Sequence, residues 1–333
     1  MAENFYPLPP ELLCQIIDYL PTTSRASLLH ALPLLRATVS QSIILSRSQT
    51  DDRTTLLHTL SINGDAKLLA ALLASHPSMP CTILDKSNRT PISLACEAGH
   101  LNIVKLLCGS KDAKPDAHDH RDSRFPRRTP LSWAAGAGHL DIVKYLIENN
   151  LSVPDKADSW ARTPLLWAVK GGHVPVVRYL VEQENTFGYL DGEDPSPEDP
   201  DPDPDPPAIP FCDLVGINRD DEDGITPLLC AVQARNPEIV GILLRRMDLN
   251  VNRRFGMSWG TALSFAAELG DVEIVRLLVA RDDVDVNIRD RDGLTAIARA
   301  RARGHFAIVA RLQSRARQWR GLNREEGTDT VDR

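Results

Sequence analysis

A short sequence returns along this chain at a nearly fixed interval. Thr90-Pro91-Ile92, Thr129-Pro130-Leu131, Thr163-Pro164-Leu165 and Thr226-Pro227-Leu228 are its clearest copies, and degenerate ones begin at Thr55, Thr261 and Thr295. The intervals are 35, 39, 34, 63, 35 and 34 residues. Each position has a physical task. Threonine caps a helix, proline fits the first turn where its missing N–H is not needed, and the small and apolar residues that follow make a slim helix able to lie against a neighbour. Each copy then reaches a glycine and a second apolar stretch. Gly99-His100-Leu101 leads into Ile103 to Leu107, Gly138-His139-Leu140 into Ile142 to Leu146, and Gly172-His173-Val174 into Val176 to Leu180. Glycine accepts the backbone of a helix-ending turn, and the apolar spacing predicts a second, amphipathic helix. One such pair cannot bury its own apolar face, whereas a stack can.

Seven registered copies with a period of ~33 residues resemble the ankyrin-repeat family, over roughly residues 50–313. The resemblance implies an all-α solenoid of helix-turn-helix repeats with β-hairpin loops. It also implies protein binding rather than catalysis, with the histidine of each Gly-His pair (99-100, 138-139, 172-173, 304-305) tying its turn to a neighbouring backbone group. In that family partners dock along the hairpin tips ahead of each Thr-Pro-Leu and the ends of the first helices. Carried onto this sequence, those positions make Arg89, Phe125, Arg128, Trp160, Arg162, Met257 and Trp259 the expected client-binding residues. Aromatic and arginine side chains on a rigid surface supply most of the energy in protein interfaces. For Trp160 and Trp259 the alternative is a ring folded back on its own hairpin. Trp133, Trp167 and Phe265 share one position of the first helix and are expected to pack between repeats as core.

The N-terminus follows another rule. Leu8, Leu12, Leu13, Ile16, Ile17 and Leu20 form one apolar helix face bounded by prolines, and a second amphipathic stretch runs from Ser24 to Val39. Leu8-Pro9-Pro10-Glu11-Leu12-Leu13, continuing to Tyr19-Leu20-Pro21, resembles the start of an F-box. That resemblance implies that residues 1–48 dock the Skp-type adaptor of a cullin-RING ubiquitin ligase through Leu8, Pro9, Leu13, Ile17, Leu20 and Pro21. The second half departs from the pattern, since Leu34-Leu35-Arg36-Ala37-Thr38-Val39 lacks the usual Cys-Arg and Trp. Read from the residues alone, the same helices also suit a cap over Leu68, Leu69, Leu72 and Leu73 of the first repeat.

The long interval holds an acidic, proline-rich insertion, residues 188–218. From Asp191 to Asp223 there are 13 acidic residues and one arginine, a local charge of -12 in a chain of net charge -7, which leaves the remainder at +5. Such a tract has nothing to bury and repels itself, so an extended spacer is expected, with a docking strip for a basic partner as the alternative. Arginine crowds the other pole, from Arg299 to Arg324, and residues 314–333 are expected to be a basic, partly disordered tail. Nucleic-acid binding is not expected there, because stacking aromatics other than Trp319 are missing.

No apolar run approaches the ~18 residues of a membrane span, and Met1-Ala2-Glu3-Asn4 lacks the basic leader of a secretory signal. A cytoplasmic or nuclear location is expected, with Cys14, Cys81, Cys96, Cys108, Cys212 and Cys230 as reduced, mostly packed thiols. No phosphate loop, nucleophile elbow or zinc-hydrolase helix appears. Asp116, His118, Asp119, His120 and Asp122 form the one tempting metal-ligand cluster, for which a solvated hairpin tip is the alternative. The expectation is therefore no enzyme, no cofactor, no metal and an unidentified protein client.

Overall fold

Threonine opens each first helix. The side chains of Thr90, Thr129, Thr163, Thr226, Thr261 and Thr295 accept the amide N–H three residues on, at 3.2–3.3 Å. Proline fills the first turn in the four clearest copies. The computed structural model describes residues 20–31, 55–85, 87–119, 127–182, 216–256 and 259–325. Among these residues a first helix, α1 (Thr22–Ala31), precedes seven helix pairs. These are α2 (Leu56–Asn63) with α3 (Ala66–Ser75), α4 (Pro91–Ala98) with α5 (Leu101–Cys108), α6 (Pro130–Ala137) with α7 (Leu140–Glu148), α8 (Pro164–Lys170) with α9 (Val174–Glu182), α10 (Pro227–Gln233) with α11 (Pro237–Leu243), α12 (Ala262–Leu269) with α13 (Val272–Val279), and α14 (Ala296–Ala302) with α15 (Phe306–Glu325).

The chain divides into two compact units, one holding α1 to α8 and the other α10 to α15, with the division inside α9. Within the first, α4 packs against α2 and α6, and α6 against α8, while the second helices stack as α3, α5 and α7. Within the second, α12 packs against α10 and α14, and α13 against α11 and α15. Leu131, Ala134 and Ala135 of α6, and Ile142, Val143 and Leu146 of α7, are fully buried, as are Ala266, Ala267, Ile274, Val275 and Leu278 in the second unit. Burying a leucine or isoleucine in this way contributes about 1.5–3 kcal/mol, and each such residue is buried partly by the next repeat, so the repeats stabilise one another.

The Gly-His pairs form one device across repeats. His139 Nε2 donates to the Glu97 carbonyl at 2.9 Å, and its ring lies 2.5 Å from where a Cβ on Gly99 would stand. Gly99, at φ +82°, is thus required both by its backbone and by the imidazole above it. His100 to Ile62, His173 to Gly136 and His305 to Glu268 repeat the bond, as the resemblance implies.

The hairpin tips are shorter than the β-hairpins expected. Among the described residues no strand forms, and most tips close on one aspartate: Asp85 N–H donates to Arg89, Asp119 to Arg128, Asp158 to Arg162, Asp221 to Ile225 and Asp290 to Leu294, each to the carbonyl, whereas Phe255 N–H donates to the Gly260 carbonyl. The carboxylate does the rest of a ladder's work, Asp158 Oδ1 accepting the amides of Trp160 and Arg162 at 2.9 Å each.

At the N-terminus, α1 packs on α2 and α3. Leu29 and Ala26 are buried, Arg25 is buried with Nε donating to the Leu20 carbonyl at 2.8 Å, and His30 bonds the carboxylate of Asp65, which caps α3. Leu20 and Pro21 are half-buried. Leu8, Pro9, Leu13 and Ile17 lie outside the described residues, as do Val39 and the acidic tract from Asp191 to Pro207. The last helix runs through the boundary expected at residue 313, as far as Glu325. No helix among the described residues is long and apolar enough to cross a membrane.

Candidate protein-binding site

Trp133 and Trp167 each lie four residues after a threonine cap, where the first helix faces the tips. A buried indole N–H needs an acceptor, and a tip aspartate supplies it: Trp133 Nε1 donates to Asp119 Oδ2 at 2.8 Å and Trp167 Nε1 to Asp158 Oδ2 at 3.0 Å. The bond holds both rings half-buried beside the tips rather than in the core, which corrects the expectation for them. Phe265 at the same position is also half-buried, its ring tilted against Phe255 with centroids 6.1 Å apart.

Held in this way, the indoles collect arginines. The guanidinium carbon of Arg128 stands 3.8 Å from the Trp133 ring centre and 3.7 Å from that of Trp167. Arg89 lies 4.0 Å from Trp133, and Arg162 lies 5.5 Å from Trp167 and 4.6 Å from Trp160. Cation and ring therefore alternate as Arg89, Trp133, Arg128, Trp167, Arg162 and Trp160, all within the first unit. Each such contact contributes ~0.5 kcal/mol when exposed and about 2 when shielded from water. Gly136 makes the room, since a Cβ there would meet Arg128 Nη2 at 2.5 Å and the Trp167 Cβ at 3.5 Å.

Arg128 is 7% exposed. Its Nη2 donates to the Ser132 carbonyl, its buried Nε has no partner, and no carboxylate among the described residues lies within ion-pairing distance of it. Burial pulls its pKa down to about 10, with Glu97 and Asp158 opposing that pull, so it stays charged at neutral pH. Arg89 is paired with Glu97. Asp119, 1% exposed, also accepts from Ser93 Oγ at 2.8 Å and the Thr90 amide at 3.2 Å, which ties the start of α4 to Trp133. Burial pushes its carboxyl up to about 6 despite those bonds and the nearby Arg89.

Family profiles described as ankyrin repeats match residues 31–119 and 115–190 (three copies), 263–313 (many copies) and 223–254. The chain carries ankyrin repeats. The first match begins inside the segment assigned to the N-terminal helical unit, and no F-box is detected. Among curated proteins, alpha-latrotoxin-Lg1a of Latrodectus geometricus is 31% identical over 98 residues, 29% of this chain and 7% of the toxin. Alpha-latrotoxin-Lhe1a of Latrodectus hesperus is 29% identical over 92 residues, 28% of this chain and 6% of the toxin. The chain spans well under a tenth of the length of the relatives it matches.

On these repeats the structure brings together Arg89, Arg128, Trp160 and Arg162. Trp160 folds back on Arg162, whereas Trp259 belongs to the other unit and is 56% exposed, at φ 51°, over a cleft lined by Glu222, Asp223, Gly224, Gly256 and Arg291. Phe125 and Met257 lie outside the described residues. In the second unit Arg299 takes the register of Trp133 and Trp167. It is bound by Asp290 at 2.7 Å, Asp292 at 3.0 Å and Glu268 at 3.2 Å. The members of the tempting metal cluster separate: Asp116 pairs with Lys156 at 2.7 Å, His118 Nε2 donates to the Ala157 carbonyl at 3.0 Å, and Asp119 serves Trp133, while His120 and Asp122 are not among the described residues. No group of three or more described His, Cys, Asp or Glu residues is placed to hold a metal. Cys81, Cys96 and Cys108 are free thiols, and burial raises Cys81, raises Cys96 further and pushes Cys108 up to about 12. Cys14 and Cys212 lie outside the described residues.

Sequence reasoning missed Asp158, Ser132 and Gly136, and it met Asp119 only as a member of the tempting metal cluster. One signal was present for Asp158, because an aspartate recurs five residues before the threonine at Asp85, Asp158, Asp221 and Asp290.

Proposed function

We propose that this chain is a non-enzymatic, protein-binding adaptor of the cytoplasm or nucleus, which holds a client on the arginine–tryptophan face of its first unit. The observation that carries this reading is the alternation of three arginines and three tryptophans over successive tips. Side chains already fixed by stacking and hydrogen bonds lose little further freedom on binding, and arginine and tryptophan are the strongest interface anchors. Arg89, Arg128, Trp160 and Arg162 are the client-binding residues proposed here, with Phe125, Met257 and Trp259 carried over from the sequence.

The more specific reading is that residues 1–48 act as an F-box, making the chain the substrate-recognition subunit of a cullin-RING ubiquitin ligase. Its support is the order Leu8-Pro9 through Leu20-Pro21. In that role the repeats would fix the client near the ubiquitin-loaded partner and raise its effective concentration. The second reading, a scaffold whose N-terminal helices only cap the first repeat, is favoured by the packing of α1 on α2 and α3.

The test is capture of the Skp-type adaptor and cullin by the full-length chain, beside the Leu8→Ala/Pro9→Ala double variant, with circular dichroism as the check of folding. At least a tenfold loss of capture by a folded variant is expected. A wild-type chain that captures neither protein ends the ligase reading and leaves the scaffold.

A further inference from the structure

We infer that the cleft over the hairpin tips of the second unit receives one basic side chain of a protein partner, its cation held between the Trp259 ring and the Glu222 carboxylate. The inference rests on the protein-binding reading above and gives a site in the other unit its partner chemistry. The cleft, of about 830 Å³, is walled by three successive tips: Glu222, Asp223 and Gly224, then Gly256 and Trp259, then Arg291. Each tip is held from within. Asp221 Oδ1 accepts the Asp223 and Ile225 amides at 3.1 and 2.9 Å, the Phe255 amide donates to the Gly260 carbonyl at 3.0 Å, and Asp290 Oδ1 accepts the Asp292 and Leu294 amides at 3.0 and 2.8 Å. A Cβ on Gly224 would meet the Gly256 amide nitrogen at 3.2 Å, so the first two tips touch through bare backbone. A cleft built in this way loses little freedom on binding.

The walls offer a site for a cation. Trp259 is 56% exposed and stands at φ 51°, a backbone conformation costly for a bulky residue, and strain of this kind gathers at binding sites. The electron-rich face of its indole attracts a cation. Glu222 is exposed and makes no hydrogen bond or ion pair with any described residue, so its carboxylate meets an incoming cation without first giving up a partner. Other tip aspartates of this unit are spent, Asp221 and Asp290 on amides, Asp220 on Arg253 at 2.7 Å and Asp292 on Arg299 at 3.0 Å. Glu222 and Asp223 bring two negative charges to the cleft against the one positive charge of Arg291, so charge and ring favour the same occupant. Arg291 is exposed and lines the cleft from the third tip. Its charge opposes a second cation beside the first, which makes the cleft selective for a basic residue without a basic neighbour.

The experiment is selection of a random dodecapeptide phage library on the full-length chain, after removal of clones that also bind the Trp259→Ala chain, followed by fluorescence anisotropy of the surviving peptides. Survivors are expected to carry one lysine or arginine without a basic neighbour, and to lose about tenfold in affinity when glutamine replaces it. Glu222→Gln is expected to weaken them about threefold, an effect that shrinks when salt rises from about 0.05 to about 0.5 M. Arg291→Gln is expected to bind them no more weakly and to admit peptides with two adjacent basic residues. If Trp259→Ala fails to fold, Glu222→Arg, at an exposed tip position, takes its place in the counter-selection. The absence of survivors, survivors without a basic residue, or survivors indifferent to Glu222→Gln overturn the inference, and survivors weakened by Arg291→Gln overturn it in favour of a carboxylate ligand. Clones that the Trp259→Ala chain retains and a Trp160→Ala chain releases would leave the protein-binding reading intact, whereas a library that yields no binder at all counts against both.

Discussion

The position four residues after the threonine cap is filled by tryptophan twice in the first unit, at 133 and 167, and by arginine in the last repeat of the second, at 299. All three give an N–H to a tip aspartate, at 2.8, 3.0 and 2.7 Å. Leu94 and Phe265 hold the same position without a donor, so the register does not require one; where tryptophan or arginine stands there, either chemistry serves the tip aspartate. What differs is what the donor does with its remaining surface. An indole has one N–H and two electron-rich faces, so Trp133 and Trp167 gather Arg89, Arg128 and Arg162. A guanidinium has N–H groups to spare, so Arg299 gathers Glu268 and Asp292 besides Asp290. One face stacks its cations on ring faces, with Glu97 and the buried tip aspartates close by, while the other meets its arginine directly with carboxylates. The same repeat thus makes a stacked surface and an ion-paired one.

The largest effect expected from this contrast comes from Trp133→Ala. It removes the ring that faces Arg89 and Arg128 and takes a donor from the buried Asp119, for an expected loss of about 3–4 kcal/mol. Arg299→Ala deprives Asp290, whose side chain is 1% exposed, of one partner while leaving its amide donors, for an expected loss of about 1–2 kcal/mol. Amide hydrogen exchange of α4 and α6, against that of α12 and α14, reads each change where it occurs, which a single melting temperature of a repeat array does not. Equal losses in the two units would break the comparison.

The two units also respond to acid in opposite directions. Burial raises the Asp119 carboxyl from its ordinary 3.8 to about 6, so between those values the folded chain holds a proton that the unfolded chain has lost. Stability of the first unit consequently rises as pH falls through 6 towards 4, by up to ~3 kcal/mol. Glu268 is held below its ordinary value by the Arg303 hydrogen bond and the charge of Arg299, against burial. Asp290 is lowered too: burial acts to raise it, but the Leu294 amide and Arg299 outweigh burial. Their contribution is present at neutral pH and is lost as pH falls below about 4 through their folded values. Protection of α4 and α6, corrected for intrinsic exchange rates, should therefore grow from pH 7 to pH 5 while that of α12 and α14 does not. Asp119→Asn should flatten the response of the first unit, and growth that persists in this variant would assign it to another group.

Much of the fold was legible because its causes act over a few residues. Threonine caps reach three positions along the chain, and glycine turns act on their own backbone. The Gly-His pairs recur, so their cross-repeat bond was readable as a pattern. The arginine–tryptophan face was not, because Arg128 and Trp167 are brought together only by stacking one repeat on the next, and hydrophobicity alone does not say where an indole N–H finds its acceptor. The interval of 39 residues also hid Asp119, which stands ten rather than five residues before its threonine. A second regularity was legible and passed over: Arg246 and Arg281 each clasp the aspartate two residues on, Asp248 or Asp283, and reach back to the carbonyls of Val181 and Leu244 at 3.0 Å each. Those carbonyls lie at the ends of second helices, where cations are favoured.

The smallest expected effect belongs to Trp259, and it sharpens the contrast within one residue type. Its ring is 56% exposed and its backbone sits at φ 51°, a left-handed conformation that costs a non-glycine residue about 1 kcal/mol. Trp259→Ala should change protection of α12 by less than ~0.5 kcal/mol, and Trp259→Gly should raise it by about 0.5–1 kcal/mol, since glycine adopts that backbone without penalty. Iodide should quench Trp259 freely while Trp133 and Trp167, faced by guanidinium groups, are shielded, which single-tryptophan variants would resolve. If Trp259→Ala loosened α12 as much as Trp133→Ala loosens α4, its ring would be a structural contact, and the distinction between a tryptophan that builds a face and one that is merely presented on it would fail.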